Sequence, residues 1–260
     1  MGKLSVVAIA VLVLACSLPV IIASDPFDVY KLSHQFGKYR DILFDYYKLS
    51  LEWPKSVCNT GGSEECETPI KNYFTIHTLQ PYYLPDNYVP PFNESRCNSV
   101  RPSPAKRITA AYLRRYGILD DMVKYWPNQY GYSDIEKNLE FWRYQWSGAG
   151  MCSSYPVYPD FYFKVALTYI KSIDLLHILA LSGIHPNNEK YEASAFAKAI
   201  GEELGVKVQI RCNKDAKNVT QFYEAFLCID RLNFLESCSE TKYYGCSETE
   251  KIQFPSVGLV

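Results

Sequence analysis

The histidines are the side chains in this sequence best suited to moving protons near neutral pH. There are four, at His34, His77, His177 and His185, and imidazole is the side chain whose ordinary pKa lies in that range. His77 follows a run of aromatic and β-branched residues, which predicts that it ends a strand just before a proline-rich loop. A side chain at such a strand end can reach a cleft. His77 is therefore the catalytic candidate, and we assign the other three structural or solvent roles.

The cysteines and histidines have no spacing that is typical of a metal site. The chain contains neither a CxxC nor an HExxH pattern, which are common signatures of zinc sites. We therefore predict that the protein uses no metal, and the sequence indicates no other cofactor.

Strands are predicted towards both ends of the chain, with helices between them. The strand predictions cover residues 44–53, 72–77, 206–212 and 221–228, which are rich in aromatic and β-branched residues or alternate with period two. The helical predictions begin with a capping-box pattern at residues 133–136 and continue over residues 160–183, where Gly183 is the stop, and 193–204. Residues 81–104 are predicted to be a long surface loop. This order indicates an α+β fold with an antiparallel sheet.

The composition of the chain limits the classes of protein it can belong to. With 260 residues, 48% hydrophobic and 21% charged, the chain is predicted to be globular. Its 27 basic and 28 acidic residues leave a net charge of −1, so it has no large basic field for nonspecific nucleic-acid binding. The net charge does not exclude a local basic cleft, because it says nothing about how the charges are distributed over the surface.

The first residues predict the compartment of the protein. Lys3 precedes a long uncharged run, which predicts a cleaved signal peptide at residues 1–24, with an uncleaved membrane anchor as the alternative. Cleavage removes Cys16 and leaves eight cysteines in residues 25–260, which we predict to form one domain. Eight cysteines in an oxidising compartment suggest four disulfides, although the sequence alone does not choose the pairs. Asn93 and Asn218 lie in sequons and are predicted glycosylation sites.

Two segments resemble the active-site segments of the ribonuclease T2 family. Residues 74–81 (FTIHTLQP) are similar to the family's FTIHGLWP, and residues 141–152 (FWRYQWSGAGMC) are similar to FWxHEWxKHGTC. Flanking similarity to the plant branch extends over residues 51–54, 125–127, 183–186 and 252–255. The resemblance implies the ribonuclease T2 fold, with helices packed on a central antiparallel sheet.

The resemblance also implies a pairing for the cysteines. The implied disulfides are Cys58 with Cys66, Cys97 with Cys152, Cys212 with Cys246 and Cys228 with Cys238. The second pair would tie the long loop to the end of the active-site helix.

The chain departs from the family pattern where the family needs its second catalytic histidine. Family enzymes cleave RNA by attack of the ribose 2′-hydroxyl on phosphorus, giving a 2′,3′-cyclic phosphate, and use two histidines as acid and base. The resemblance aligns His77 with the first histidine and Ala149 with the second, while Gln145 replaces the family's glutamate and Gly148 its lysine. Alanine has no proton to exchange, and losing one general acid or base costs about 10²–10⁴ in rate.

Two further positions near the substrate also differ from the family pattern. Gln80 corresponds to the family's tryptophan and Tyr144 to an ancillary histidine. Both are kept as substrate-binding candidates, with Tyr144 also a candidate substitute acid, although an ordinary phenol with a pKa near ~10 is a poor acid at neutral pH. RNA is accordingly expected to be at most a weak partner, and the sequence identifies no protein partner.

Three functions from different classes follow from these residues. The first is an inactive, secreted or vacuolar glycoprotein with a role in storage or defence, in which His77 is a relic. The second is a weak endoribonuclease that forms 2′,3′-cyclic phosphates through His77. The third is a recognition protein like the self-incompatibility relatives, acting through surface loops such as residues 81–104.

Overall fold

The computed structural model describes residues 44–62, 64–247 and 251–258. The predicted signal peptide at residues 1–24 and His34 lie outside the described residues. The strands are β1 (Tyr46–Glu52), β2 (Thr75–Tyr83), β3 (Asn87–Tyr88), β4 (Lys190–Tyr191), β5 (Gln209–Lys214), β6 (Thr220–Asp230), β7 (Leu235–Glu236), β8 (Tyr243–Tyr244) and β9 (Ile252–Gln253). The helices are α1 (Pro54–Cys58), α2 (Phe92–Ser95), α3 (Ala110–Arg115), α4 (Leu119–Tyr125), α5 (Ile135–Gly148), α6 (Pro159–Ser172), α7 (Leu175–Leu181) and α8 (Ala193–Leu204), with 3₁₀ turns at Ala105–Arg107 and Gly150–Cys152.

The strands form one sheet in the order β3-β2-β1-β6-β5-β8. Its four long strands, β2, β1, β6 and β5, are antiparallel. Parallel pairing occurs at two short strands, where β8 joins β5 and β9 joins β6. The predicted α+β fold with a central antiparallel sheet is confirmed.

The central strand β1 is buried along its whole length. Because side chains alternate between the faces of a strand, Leu49 and Leu51 point to one face and pack in the same hydrophobic cluster as Trp142 and Trp146 of α5. The other face of β1 carries Lys48, Ser50 and Glu52, which are also buried. A buried charge must be paired or hydrogen-bonded, so this second face predicts a polar cluster, and the candidate site lies there.

Helix α5 begins one residue later than the capping-box pattern predicts. Asp134, not Ser133, is the N-cap, since its carboxylate accepts hydrogen bonds from the amides of Glu136 and Lys137. The apolar face of α5 is confirmed: Leu139, Trp142 and Trp146 are buried.

The single helix predicted over residues 160–183 is wrong, because the structure has two helices there. Ile173 is extended, and the side chain of Asp174 accepts a hydrogen bond from the His177 amide to start α7. The apolar period continues across the break, and Ile170, Leu175 and Leu179 are all buried. The sequence pattern therefore gives no sign of the break between the two helices. The stop at Gly183 is confirmed by its positive φ of 72°.

Two strand predictions need correction. The strand predicted at residues 72–77 begins at Thr75 and runs on to Tyr83, so it enters the segment predicted as a loop. Pro81 can lie in this strand because it pairs with Tyr47 while its carbonyl accepts a hydrogen bond from the Val89 amide. The strand predicted at residues 206–212 instead covers Gln209–Lys214.

All four implied disulfides are present. They join Cys58 to Cys66, Cys97 to Cys152, Cys212 to Cys246 and Cys228 to Cys238. The second bridge fastens the loop after α2 to the 3₁₀ turn that follows α5. The side chains of Asn93 and Asn218 are exposed, so glycosylation there stays a prediction. Within the described ranges, no helix combines the length and the apolar character needed to cross a bilayer.

Candidate active site

His77 lies inside β2 rather than at its end, which corrects the sequence prediction. The pairing of β1 with β2 shifts between Ser50 and Leu51, which pair with Thr78 and Ile76, so His77 is the extra residue of a β-bulge. Bulges re-aim a side chain relative to its neighbours and are common beside active sites. The His77 carbonyl accepts a hydrogen bond of 3.1 Å from the Trp126 indole, which fixes the backbone at the bulge.

The imidazole of His77 is held by a buried carboxylate of β6. Nδ1 of His77 lies 2.5 Å from Oε1 of Glu224, and the side chains are 37% and 0% exposed. On the other side, the Arg211 guanidinium lies 3.1 Å from Oε2 of Glu224. Burial favours the protonated form of Glu224, but the hydrogen bond from His77 and the charges of His77 and Arg211 outweigh it, so the pKa of Glu224 falls below its ordinary value. Glu224 is therefore an anion between two cations.

A second carboxylate, that of Glu52, lies close to the same imidazole. Oε1 of Glu52 accepts hydrogen bonds of 3.0 Å from Gln129 and 3.4 Å from Thr75. Burial raises the pKa of Glu52 to about 7, against the opposing charge of His77. Near neutral pH, Glu52 is thus close to half protonated, and it adds negative potential at His77 as it ionises.

These carboxylates decide the protonation state of His77. Burial disfavours the imidazolium, but the hydrogen bond to Glu224 and the charges of Glu52 and Glu224 raise the pKa of His77 to about 9. At neutral pH the imidazole is therefore cationic. A cationic imidazole can donate a proton but has no lone pair with which to accept one, so His77 is suited to act as an acid and not as a base.

Glu52, His77 and Glu224 also have the side-chain types of a metal site. One ligand atom each from Glu52, His77 and Glu224 lie within 4.8 Å of one another. Nδ1 of His77 is already hydrogen-bonded to Glu224, and the nearby Arg211 adds a positive charge that opposes a cation. The cluster is neutralised by protein cations, so it fits an ion-pair network better than a metal centre. The absence of a metal stays a prediction.

The end of α5 does not carry the residues of an acid–base partner. Gln145 and Ala149 are buried, with 6% and 1% of their surface exposed. Helix α5 ends at Gly148, and Ala149 is its C-cap, with φ of −131° but with its amide still donating a hydrogen bond of 2.9 Å to the Gln145 carbonyl. A Cβ atom added at Gly148 would meet no atom within 4 Å, so the space beside it is open.

The two substrate-binding candidates occupy different environments. Gln80 is half-buried, and its amide donates a hydrogen bond of 3.0 Å to the Val89 carbonyl, so this side chain supports the turn after β2. Tyr144 is 73% exposed on α5, as expected of an aromatic residue on a helix surface.

The sequence reasoning missed Glu52, Arg211 and Glu224. Each is a charged residue at an alternating position within a strand of apolar neighbours, and this pattern is the signal that could have found them. Their convergence depends on the register, which places Glu52 and Arg211 both opposite Glu224 on neighbouring strands.

Fold and site together define a disulfide-bonded α+β protein with a carboxylate-paired histidine set into its central sheet. The model of the ribonuclease T2 family matches residues 44–238. The chain belongs to the ribonuclease T2 family.

Relatives of the chain extend this finding. It is 28% identical to Ribonuclease 1 of Arabidopsis thaliana over 82% of this chain and 87% of that protein. It is 24% identical to the ribonuclease-like storage protein of Panax ginseng over 71% of each chain. The crystal structure of RNase NT in complex with 5′-AMP aligns with a TM-score of 0.64 and 27% identity, covering 82% of this chain and 98% of that one.

Proposed function

We propose that this member of the ribonuclease T2 family is a secreted or vacuolar protein that no longer cleaves RNA at an enzymatic rate and serves a storage or defence role. The observation that carries the proposal is that the end of α5 gives His77 no acid–base partner, since Gln145 does not titrate and Gly148 and Ala149 carry no ionisable side chain. Against the cost of burial, the hydrogen bond from Nδ1 to Glu224 raises the pKa of His77 to about 9, which favours the proton-donating form of the ring.

The missing partner matters because the reaction needs two proton-transfer groups. Cleavage through the 2′-hydroxyl needs a base for the attacking oxygen as well as an acid for the leaving one. Gln145 does not titrate, and Ala149 and Gly148 offer no side chain that could take a proton or stabilise charge on phosphorus. One missing acid–base group lowers turnover by a factor of about 10²–10⁴. Because the family's glutamate, lysine and second histidine are all replaced here, we expect turnover to fall by at least that factor.

The storage role rests on the ginseng relative, whose name states that a ribonuclease-like chain can be a storage protein. The predicted signal peptide and the four disulfides agree with an oxidising compartment. Disulfides stabilise a fold whether or not the protein is an enzyme, so they also suit a storage protein.

The test is RNA cleavage by the purified mature protein. Polyuridine and transfer RNA are incubated with the wild-type protein and with His77→Ala, at acidic and neutral pH, beside an active family member. We expect both proteins to show the same background, at least about 10²-fold below the active enzyme. Turnover comparable with the active enzyme, and lost in His77→Ala, would overturn the proposal.

A weak ribonuclease is the second candidate, because the retained His77 is still an acid of the kind the reaction uses. Its signature in the same assay is slow formation of 2′,3′-cyclic phosphates by the wild-type protein that His77→Ala abolishes. A water molecule would then have to accept the proton of the 2′-hydroxyl. This candidate predicts a rate that rises with pH until His77 loses its proton near pH 9.

A further inference from the structure

A strongly basic stretch of the chain lies outside the His77 site, between α2 and α4. Residues 95–119 contain six lysines and arginines and no aspartate or glutamate. All six side chains are exposed, and they are Arg96, Arg101, Lys106, Arg107, Arg114 and Arg115. In a chain with a net charge of −1, this stretch is a local concentration of positive charge. No part of the family resemblance rests on these cations, and the cleavage chemistry at His77 does not use them.

The fold gathers four of these cations around one short helix. Lys106 and Arg107 lie in the 3₁₀ turn that leads into α3. Arg114 and Arg115 are the last two residues of α3. The guanidinium of Arg107 lies 5.4 Å from the centre of the Tyr112 ring, and Arg115, three residues after Tyr112, is its neighbour on the same side of the helix. We call Lys106, Arg107, Arg114 and Arg115 the basic patch.

The charges of the basic patch are not neutralised by the protein. Within the ranges that the structure describes, none of its four cations takes part in an ion pair. Asp160 contacts α3 through the Tyr112 hydroxyl, which donates a hydrogen bond of 2.6 Å to it, but this carboxylate is buried and pairs with Lys164 at 3.5 Å. Lys164 in turn lies 5.4 Å from the centre of the Tyr116 ring. The patch is therefore open to an anion that approaches from solvent.

The basic patch lacks the side chains that a bilayer or a nucleic-acid strand would use. Surface binding to a bilayer needs apolar side chains that enter it, and none of the large exposed hydrophobic residues of the described chain lies within residues 95–119. Binding to a single strand uses aromatic faces on which bases stack. The two aromatic rings of this stretch, Tyr112 and Tyr116, lie 4.7 Å apart, and each already has a cation over it. The patch thus offers charge and no free apolar face.

We propose that the basic patch binds an acidic polysaccharide, a polymer of sugars that carry carboxylates. Three of its four cations are arginines, and the planar guanidinium group pairs with a carboxylate through two parallel hydrogen bonds. Each such contact at a surface is weak, but a polymer with a carboxylate on every sugar contacts several cations at once, so the contacts reinforce one another. The proposal rests on the secreted location proposed above, and it holds whether or not RNA is cleaved.

The test is equilibrium binding of polygalacturonate to the mature protein by calorimetry at neutral pH. We expect saturable binding that weakens as sodium chloride is raised, because salt screens exposed charges. The methyl-esterified polymer has the same sugars without the charge, and we expect it to bind at least about tenfold more weakly. Polydeoxythymidine, which has no 2′-hydroxyl to react, and phosphatidylserine vesicles are the competing anions, and we expect both to bind more weakly than polygalacturonate.

A pair of double variants locates the binding surface. Arg114→Glu combined with Arg115→Glu is expected to weaken polygalacturonate binding at least about tenfold, because like charges then face the polymer. Lys190→Glu combined with Lys198→Glu is the matched control, since it changes the net charge equally at two exposed lysines on β4 and α8. We expect the control to bind like the wild-type protein. All four side chains are exposed, so both variants should fold, and circular dichroism checks this.

Four results would overturn the proposal. They are no saturable binding of polygalacturonate, equal binding of the methyl-esterified polymer, equal weakening in the two double variants, and tighter binding of polydeoxythymidine or of the vesicles. None of them bears on RNA turnover, which the cleavage assay measures separately. A protein that binds polygalacturonate through the basic patch and also cleaves RNA would overturn the proposed function and leave this proposal standing.

Discussion

The imidazole of His77 reaches across β1 to Glu224, with 2.5 Å between Nδ1 and Oε1. His77 lies on β2 and Glu224 on β6, and β1 separates these strands. The contact is made because the bulge turns His77 onto the polar face and because the intervening side chain, that of Ser50, is small and fully buried. The pair fixes the orientation of the ring, and it sets the charge of the site.

Titration of His77 is the first prediction. Its resonances in a nuclear magnetic resonance pH series should report a pKa of about 9, and His77→Ala identifies them. In Glu224→Gln we expect the pKa to fall towards the ordinary value of 6.5, because the main partner of the imidazolium is removed. Glu240→Gln, which changes an exposed carboxylate, should leave the titration unaltered. A wild-type pKa at or below 6.5 would contradict the prediction.

Glu52 gives the fold a pH dependence of defined sign. Its pKa rises from 4.5 to about 7 on folding because the carboxyl is buried, so the folded state binds more protons and this residue makes stability fall as pH rises from 4.5 to 7. Glu52→Gln removes the penalty. We therefore compare the free energy of unfolding of the variant with that of the wild type at each pH. Between pH 4 and pH 8 this difference should shift in favour of the variant by up to about 3 kcal/mol. Urea unfolding at the two pH values measures this, and an equal difference at both would argue against it.

Two glycines near the end of α5 are expected to respond in opposite ways to alanine. Gly148→Ala should raise the free energy of unfolding by about 0.5–1 kcal/mol, since glycine is a poor helix former and the added Cβ meets no atom within 4 Å. Gly150→Ala should lower it by about 1–3 kcal/mol, since its Cβ would fall close to the Trp146 and Tyr162 rings. Thermal unfolding of both variants checks the pair, and a stabilising Gly150→Ala would refute the packing described here.

The disulfides should differ in their contribution to stability. Cys97–Cys152 closes a separation of 55 residues and Cys58–Cys66 one of 8. The loop-entropy model gives about 4 kcal/mol for the first and about 2.5 kcal/mol for the second. Replacing each pair by serines and measuring unfolding in guanidinium tests the order. If replacing Cys58 and Cys66 lowers the free energy of unfolding more than replacing Cys97 and Cys152, then strain or residual structure in the unfolded chain outweighs chain entropy.

The sequence predicted the elements well where one periodicity acts locally. The apolar face of α5, the stop at Gly183 and the strand around β1 were all predictable, because each depends on neighbours in the chain. The break at Asp174 was not, since the helical period continues through it. The charged cluster was out of reach for a different reason: Glu52, His77 and Glu224 meet only through strand register and a bulge, which the sequence does not specify.

The burial of Ala149 has a consequence for how the protein can evolve. Only 1% of its surface is exposed, and it packs within the main hydrophobic cluster. An imidazole at this position would have to displace neighbours, at a cost of about 1–3 kcal/mol, before any proton transfer could be selected. The substitution Ala149→His is therefore disfavoured until a second substitution makes room for it. Gaining an imidazole at this end of α5 thus takes two substitutions, of which the histidine alone only lowers the stability of the fold.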